Sequence, residues 1–202
     1  MHTPTIRAFI ALDLPAAATS VLAQTAQIIG KHLPDGAVRW VRPDRMHLTL
    51  RFLGDTAVNQ LPTIANELDR LTANQPPFSL HLNELGCFPN QCKPRVIWAG
   101  LAGDVQPLQI LKQGIDTFLA PLGWEPEKRP FQAHLTLGRV KDARQLQNVQ
   151  WDVAVKKVAW SVTAVHLIES QLRSQGPLYT TRHSSTLSNR QSSIVNRQSQ
   201  TS

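Results

Sequence analysis

The sequence predicts a duplicated fold of strands and helices, because one strand motif occurs twice in the chain. Residues 42–50 read RPDRMHLTL and residues 129–137 read RPFQAHLTL, so the Arg-Pro pair and the HLTL tetrapeptide keep one register in both copies. The same offset aligns the apolar segment 9–12 with the apolar segment 96–99. Each half therefore runs from an apolar strand to a His-x-Thr strand, as expected of two copies of one structural unit.

Apolar periodicity and turn residues predict the elements in chain order. A first strand leads into a helix whose first turn holds Pro15, two strands flank the turn at Pro43, and a second helix ends before Pro76. The second half repeats the strand, the helix and the His-x-Thr strand, and two closing strands follow. The predicted strands are 7–14, 38–41, 46–53, 78–85, 94–100, 131–140, 153–160 and 161–169, and the predicted helices are 15–32, 58–71 and 104–122.

Length and composition are those of an ordinary globular protein. A chain of 202 residues with 42% hydrophobic content suits one domain, or two small lobes that share a core. No apolar run approaches the roughly 20 residues that span a bilayer, and the start lacks the apolar region of a signal peptide. We therefore expect a cytoplasmic protein. Cys87 and Cys92 have no second pair nearby to complete a zinc site, so we expect a reduced, structural pair.

The charge predicts a polyanionic partner, nucleic acid first. The chain carries a net charge of +7 and has a pI near 10.0. Three of its arginines lie in the polar segment 182–202, which has no acidic residue, so residues 1–181 carry +4. We predict one domain over residues 1–181 and a disordered polar tail over 182–202.

The two His-x-Thr motifs carry the chemistry. Because successive side chains of a strand point to opposite faces, His47 and Thr49 project together, as do His134 and Thr136. If the halves pack about a pseudo-twofold axis, the pairs face each other across a cleft. A neutral histidine can then take a proton from water while a protonated one donates to the leaving oxygen of a phosphodiester. The threonine hydroxyls can bind the non-bridging oxygens, and this chemistry needs no metal.

A single HLTL copy would be an ordinary β-strand sequence with a half-buried histidine. Two copies in register, each preceded by Arg-Pro, favour a site instead, because histidine and threonine are poor choices for packing alone. The remaining histidines have no partner motif and no metal-ligand spacing.

With its flanks, the duplicated motif resembles the 2H phosphoesterase superfamily and, within it, the bacterial RNA 2',3'-cyclic phosphodiesterases (2'-5' RNA ligases, LigT-like proteins). The matching segments are RAFIAL at 7–12, RWVRP at 39–43, HLTLRFLG at 47–54, RPF at 129–131, HLTLGRV at 134–140 and LIES at 167–170. The resemblance covers residues 7–181. It implies a bilobal, pseudo-twofold α+β fold with two antiparallel sheets, outer helices and a cleft between the lobes.

The resemblance also implies an activity: metal-independent hydrolysis of an RNA-terminal 2',3'-cyclic phosphate to a 2'-phosphate, with 2'-5' ligation as the reverse reaction. By this analogy His47 is the proton donor and His134 the proton acceptor, assisted by Thr49 and Thr136. No cofactor is expected. The expected partners are RNA ends or nucleoside 2',3'-cyclic phosphates, not membranes, and the protein is expected to be a monomer.

The resemblance points to further substrate contacts, which are Arg139, Phe9, Arg51 and Trp40. Arg139 matches a phosphate-contacting arginine, but strand parity points it away from His134, so the contact requires a bend or bulge near Gly138. Phe9 matches an aromatic that stacks on the terminal base and equally suits a core position. Arg51 also suits a rim charge, and Trp40 a packing residue.

Two other function classes stay open. One is a different 2H activity, either ADP-ribose cyclic phosphate hydrolysis or exonucleolytic trimming of RNA. The other is a non-catalytic module that binds RNA ends, against which the two intact histidines argue. Gln132-Ala133 stands where many relatives carry a basic residue and a proline. We expect this difference to alter the affinity of the cleft for RNA, and it removes no catalytic group.

Overall fold

The structure is a computed structural model that describes residues 3–146, 153–174 and 176–189. Within these residues the chain forms nine strands and three α-helices. The strands are β1 Thr5–Leu12, β2 Val38–Trp40, β3 Leu48–Ala57, β4 Phe78–Phe88, β5 Val96–Gly103, β6 His134–Val140, β7 Ala159–Val162, β8 Ala164–Gln171 and β9 Leu178–Thr186. The helices are α1 Ala16–Gly30, α2 Leu61–Thr72 and α3 Val105–Leu119.

The strands form two antiparallel sheets, which confirms the predicted α+β class. The first sheet has the order β3-β1-β8-β9 and the second the order β2-β6-β5-β4-β7. The equivalent pairs β1/β3 and β5/β6 place one His-x-Thr motif in each sheet. The halves also exchange strands, because β2 and β4 join the second sheet while β8 and β9 join the first. The two repeats are therefore interleaved, and each lobe needs both halves of the chain.

One face of each sheet packs into a shared core, as β1 illustrates. Ala8, Ile10 and Leu12 belong to the large apolar cluster that joins both sheets, whereas Phe9 and Ala11 belong to a small cluster on the opposite face. The three helices contact the large cluster: α1 packs on β6, α2 on β8 and β9, and α3 on β3 and β4. Each fully buried leucine or isoleucine there contributes about 1.5–3 kcal/mol. The opposite face is left for the site.

A β-bulge in β6 redirects Arg139. Thr136 pairs with Trp98 and Arg139 pairs with Val96, which leaves Leu137 as an extra residue between the two pairs. Directly opposed residues of an antiparallel pair share one face, and Val96 and Trp98 lie two residues apart on β5. Arg139 therefore points to the same face as Thr136. The predicted irregularity is confirmed, with its extra residue one position before Gly138.

A bulge at the equivalent position of β3 has a different result. Thr49 pairs with Ala11 and Arg51 pairs with Ile10, so Leu50 is the extra residue. Arg51 is thereby moved to the core face that Ile10 shares. Phe52, which is equivalent to Arg139 in the repeat, lies on the same face as Thr49.

Gly138 is a position where an added methyl group should destabilise the fold. A Cβ there would lie 2.5 Å from Val38 Cγ1 and 2.9 Å from Trp40 Cε3. We expect Gly138→Ala to lower the free energy of unfolding in urea by about 1–3 kcal/mol, because the packed ring and strand must shift. Gly30→Ala is the matched control, since its Cβ would meet the same Trp40 ring at an ordinary 3.5 Å. Equal stability of the two variants would contradict the expected overlap.

The boundary predicted for the polar tail is wrong. Residues 182–186 belong to β9, where Ser185 donates a hydrogen bond of 2.7 Å to Asp69 and His183 lies 2.8 Å from the same carboxylate. Arg182 pairs with Glu169 at 3.4 Å, and Leu187 is buried. As an edge strand, β9 tolerates polar residues that pair with neighbouring side chains, which a hydropathy pattern does not reveal. Residues 190–202 of the predicted tail lie outside the described residues.

The structure also bears on the strand predicted over residues 153–160 and on the predicted state of the two cysteines. The strand predicted over 153–160 begins only at Ala159, and the described residues before it are irregular. Cys87 is buried and Cys92 exposed, and both are free thiols, as predicted. Across the three described segments, no helix combines the length and apolarity needed to cross a membrane.

Candidate active site

A cleft of about 1610 Å³ is lined by both sheets and holds both His-x-Thr motifs. His47 lies immediately before β3 and His134 begins β6, and both line the cleft together with Thr49 and Thr136. The leucines that alternate with them are buried in the core. The structure therefore brings together the four residues that the sequence singles out.

The two imidazoles are held in the same way. Nδ1 of His47 lies 3.0 Å from the carbonyl oxygen of Arg45, and Nδ1 of His134 lies 2.7 Å from that of Gln132, in each case two residues earlier. Because a carbonyl oxygen only accepts, each Nδ1 must donate, and Nε2 of each ring is left for proton exchange with a substrate. The repeat thus supplies two equivalent proton-transfer groups to one cleft.

The surroundings of His47 favour its neutral form. Its ring stacks on Phe9 with centroids 4.7 Å apart, and Tyr179 meets it edge-on at 5.2 Å. Burial lowers the pKa of His47, and this effect outweighs the opposing hydrogen bond to Arg45 and the charge of Asp13. His134 instead makes an edge contact with Phe88 at 5.0 Å. The two histidines therefore share a geometry but not an environment.

Phe9 does not lie where the sequence prediction needs it. Its side chain is 3% exposed, and it supports the ring of His47 instead of bordering the cleft. The predicted stacking on a base is therefore wrong for Phe9, and the alternative of a buried position is right. The exposed aromatic of the cleft is Phe52, at 63% exposure. Phe52 and Tyr179 were missed in the sequence, although the repeat offset that aligns Phe52 with Arg139 was a usable signal.

Basic side chains dominate the cleft. Glu127 is the only acidic residue among the described residues that line it, and it pairs with Arg51 at 3.6 Å and Lys112 at 3.0 Å. The described residues also hold no group of three His, Cys, Asp or Glu side chains suited to a metal ion. The basic lining residues are Arg39, Arg42, Arg45, Arg51, Lys93, Arg95, Lys128, Arg129 and Arg139. This wall suits a polyanionic ligand.

Arg51 and Trp40 take the positions of structural residues. Arg51 is 5% exposed, pairs with Asp116 at 3.3 Å and donates a hydrogen bond to the carbonyl of Glu125. The sequence alternative of a rim charge is wrong for it, and its guanidinium is already engaged by carboxylates. Trp40 is half-buried against Gly30 and Gly138 at the cleft border.

The family described as LigT like Phosphoesterase matches residues 12–98 and 102–179. The chain belongs to the LigT-like phosphoesterase family. This membership confirms the resemblance noted in the motif flanks.

Other LigT-like phosphoesterases match most of the chain. The RNA 2',3'-cyclic phosphodiesterase of Aeropyrum pernix is 33% identical over 71% of this chain and 83% of its own length. The protein of the same name from Methanothermobacter thermautotrophicus is 30% identical over 87% of this chain and 95% of its own. Both relatives carry the name of the group that the motif flanks resemble.

Solved structures agree with the fold of this LigT-like phosphoesterase. A protein of Thermus thermophilus superposes with a TM-score of 0.73 at 30% identity, over 90% of this chain and 98% of its own. Escherichia coli LigT, in a complex with 3'-AMP, superposes with a TM-score of 0.70 at 27% identity, over 92% of this chain and 99% of its own. The duplicated two-sheet architecture is therefore that of the family.

Proposed function

We propose that this LigT-like phosphoesterase hydrolyses RNA-terminal 2',3'-cyclic phosphates to 2'-phosphates. The observation that carries the proposal is the pair of histidines, each with Nδ1 fixed on a backbone carbonyl, in one basic cleft. The names of the two relatives support the substrate. A 2',3'-cyclic phosphate requires a ribose 2'-oxygen, so DNA ends are outside the proposed substrate class.

In the proposed reaction, water attacks phosphorus and the bond to the 3'-oxygen breaks. His134 takes the proton from water, and His47 donates a proton to the departing 3'-oxygen, so the products are a 2'-phosphate and a 3'-hydroxyl. The hydroxyls of Thr49 and Thr136 donate to the non-bridging oxygens, and Arg139 offsets the developing negative charge. When the 5'-hydroxyl of a second RNA attacks the cyclic phosphate in place of water, the bond to the 3'-oxygen breaks in the same way. The two ends are then joined by a 2'-5' phosphodiester, and we include this ligation as a side activity.

Phe52 is the residue that we propose for the terminal base. Its ring is exposed, lines the cleft, and lies on the strand face that Thr49 shares. Stacking of a base on such a ring contributes about 1–3 kcal/mol and tolerates any base. Phe9 then has an indirect role, because its ring stacks on the imidazole of His47 and supports it.

The pH dependence of the variants tests which histidine is the acid. Burial lowers the pKa of His47, which favours its neutral form in the free enzyme, and the negative charge of a bound phosphate acts in the opposite direction. The residual kcat/KM of His47→Ala should rise with pH to a plateau, because a general base acts only in its unprotonated form. The residual kcat/KM of His134→Ala should fall as pH rises. Opposite slopes would reverse the two roles.

The wild-type enzyme should give a bell-shaped pH profile of kcat/KM, with one limb from each histidine. Because burial lowers the pKa of His47, the limb that reports this residue should lie below pH 6.5. A profile that is flat from mildly acidic to alkaline pH would contradict the two-histidine mechanism.

A panel of substrates tests the proposed function against its rivals. RNA ending in a 2',3'-cyclic phosphate, nucleoside 2',3'-cyclic phosphates, ADP-ribose cyclic phosphate and RNA with free hydroxyl ends would be incubated in EDTA. We expect opening of the ribose cyclic phosphates and no shortening of the RNA. Preference for the ADP-ribose compound, or loss of nucleotides, would assign a different 2H activity. Binding of RNA ends without turnover would indicate that the protein is a non-catalytic module that binds RNA ends.

We also propose that the protein acts as a monomer in the cytoplasm, where free thiols such as Cys87 and Cys92 are the usual state.

A further inference from the structure

Two arginines lie directly opposite each other on neighbouring strands at one side of the cleft. Arg39 of β2 pairs in register with Arg139 of β6, and both side chains are exposed and line the cleft. Residues paired in this way share one face, with Cβ atoms about 4.5–5.5 Å apart. Like charges at this spacing destabilise a sheet.

No carboxylate compensates this pair within the described part of the chain. Neither Arg39 nor Arg139 forms an ion pair or a hydrogen bond with an acidic side chain there, whereas Arg42 on the same cleft is paired with Asp44 at 3.0 Å. Arg95 adds a third positive charge to this side, since its carbonyl accepts from the amide of Val140, the residue that follows Arg139. The unbalanced charge is therefore concentrated at the junction of β2, β6 and β5.

The arginine pair lies close to the His-x-Thr motif of β6, and this position suggests which group it binds. Arg139 lies on the same face of β6 as His134 and Thr136, so it faces the proposed position of the reacting phosphate. Arg39 is one strand farther out, a displacement of about 4.8 Å. A second phosphate, one nucleotide away from the cyclic phosphate, would lie between the two guanidinium groups and relieve their repulsion.

We infer that Arg39 and Arg139, with Arg95 beside them, form a subsite for the phosphodiester on the 5' side of the terminal nucleotide. The inference rests on the proposed function. It makes the enzyme selective for the end of a polynucleotide over a free nucleoside cyclic phosphate, through a phosphate that takes no part in the reaction.

The test compares three substrates that differ only at this phosphate. They are adenosine 2',3'-cyclic phosphate, the dinucleotide ApA ending in a 2',3'-cyclic phosphate, and the same dinucleotide with an uncharged methylphosphonate linkage. For the wild type we expect the kcat/KM of the charged dinucleotide to exceed that of the nucleoside by about tenfold or more, as a charge-assisted contact provides. The methylphosphonate should react like the nucleoside.

The variant Arg39→Ala should bring the ratio of dinucleotide to nucleoside kcat/KM close to one. The control Arg70→Ala, on the surface of α2 and outside the cleft lining, should preserve the wild-type ratio. The unfolding midpoint of Arg39→Ala in urea should not fall, because the substitution removes a repulsion. An unchanged ratio in Arg39→Ala, or a methylphosphonate that reacts like the charged dinucleotide, would overturn the subsite while the proposed function stands. A wild type that opens none of the three substrates would remove the proposed function and this inference with it.

Discussion

Alanine at either cleft histidine should abolish most of the turnover. We expect His47→Ala and His134→Ala each to lower kcat for opening of an RNA 2',3'-cyclic phosphate by about 10²–10⁴-fold, because each removes one proton transfer. The geometry gives the reason: the contact of each Nδ1 with a backbone carbonyl leaves Nε2 as the nitrogen that exchanges a proton with the substrate, and alanine removes it. Single-turnover rates at saturating enzyme measure the effect apart from substrate binding.

The double variant adds a sharper expectation. Since the two histidines act in one step, the loss in the double variant should be close to that of the worse single variant, rather than the product of the two. His32→Ala is the control, because His32 is exposed and remote in sequence from both motifs. Wild-type kcat in either single variant, or fully multiplicative losses, would show that the histidines do not act together on one substrate.

Loss of Arg51 should have the largest effect on stability. Arg51 of β3 joins Lys112 and Asp116 of α3 and Glu127 of the following loop in a partly buried ionic cluster. Its Nε and Nη1 make no hydrogen bond, so the interaction with the carboxylates is ionic and depends on the low exposure of the site. Removing one member of such a cluster leaves partly buried charge uncompensated.

We expect Arg51→Ala to lower the free energy of unfolding by about 3 kcal/mol, measured by urea denaturation. Arg70→Ala is the matched control, since Arg70 pairs with Glu67 on the surface, and it should cost less than about 1 kcal/mol. The same variant tests the original substrate-contact prediction. If Arg51 acts only in this ionic cluster, KM should stay near the wild-type value at temperatures where the variant is folded. A large rise in KM with little loss of stability would instead indicate that Arg51 contacts the substrate.

The repeat in the sequence was sufficient to predict the architecture and the four motif residues. A fixed offset between two copies of HLTL requires two equivalent strands, and the period of a strand requires each histidine to share a face with its threonine. These are local rules, so a sequence is enough to apply them. Arg139 came instead from the family resemblance, because the local rule for a regular strand points its side chain away from His134.

The residues that were misjudged depend on features that local rules omit. An extra residue at Leu50 moves Arg51 to the core face, and the equivalent Leu137 moves Arg139 to the cleft. Nothing in the strand pattern shows which residue of a run is left unpaired. Phe9 shows a second limit, because an apolar residue on the cleft face still becomes buried when a histidine ring covers it.

The last strand shows how tertiary contacts override composition. Residues 178–186 are mostly polar and have no clear alternation, so they were divided between the domain and a tail. In the structure they form β9 because β8 offers an open edge and Asp69 of α2 accepts hydrogen bonds from Ser185 and His183. Asp69 is 114 residues from His183 and 116 from Ser185 in the sequence, which is why the pattern of the segment itself could not predict the strand.

The most direct measurement follows the phosphate itself. A short RNA ending in a 2',3'-cyclic phosphate would be incubated in EDTA with the wild type, His47→Ala and His134→Ala, and the product isomer identified by phosphorus NMR. The two-histidine account predicts a 2'-phosphate as the product of the wild type and almost no product from either variant. A 3'-phosphate product, or turnover that survives loss of either histidine, would contradict it.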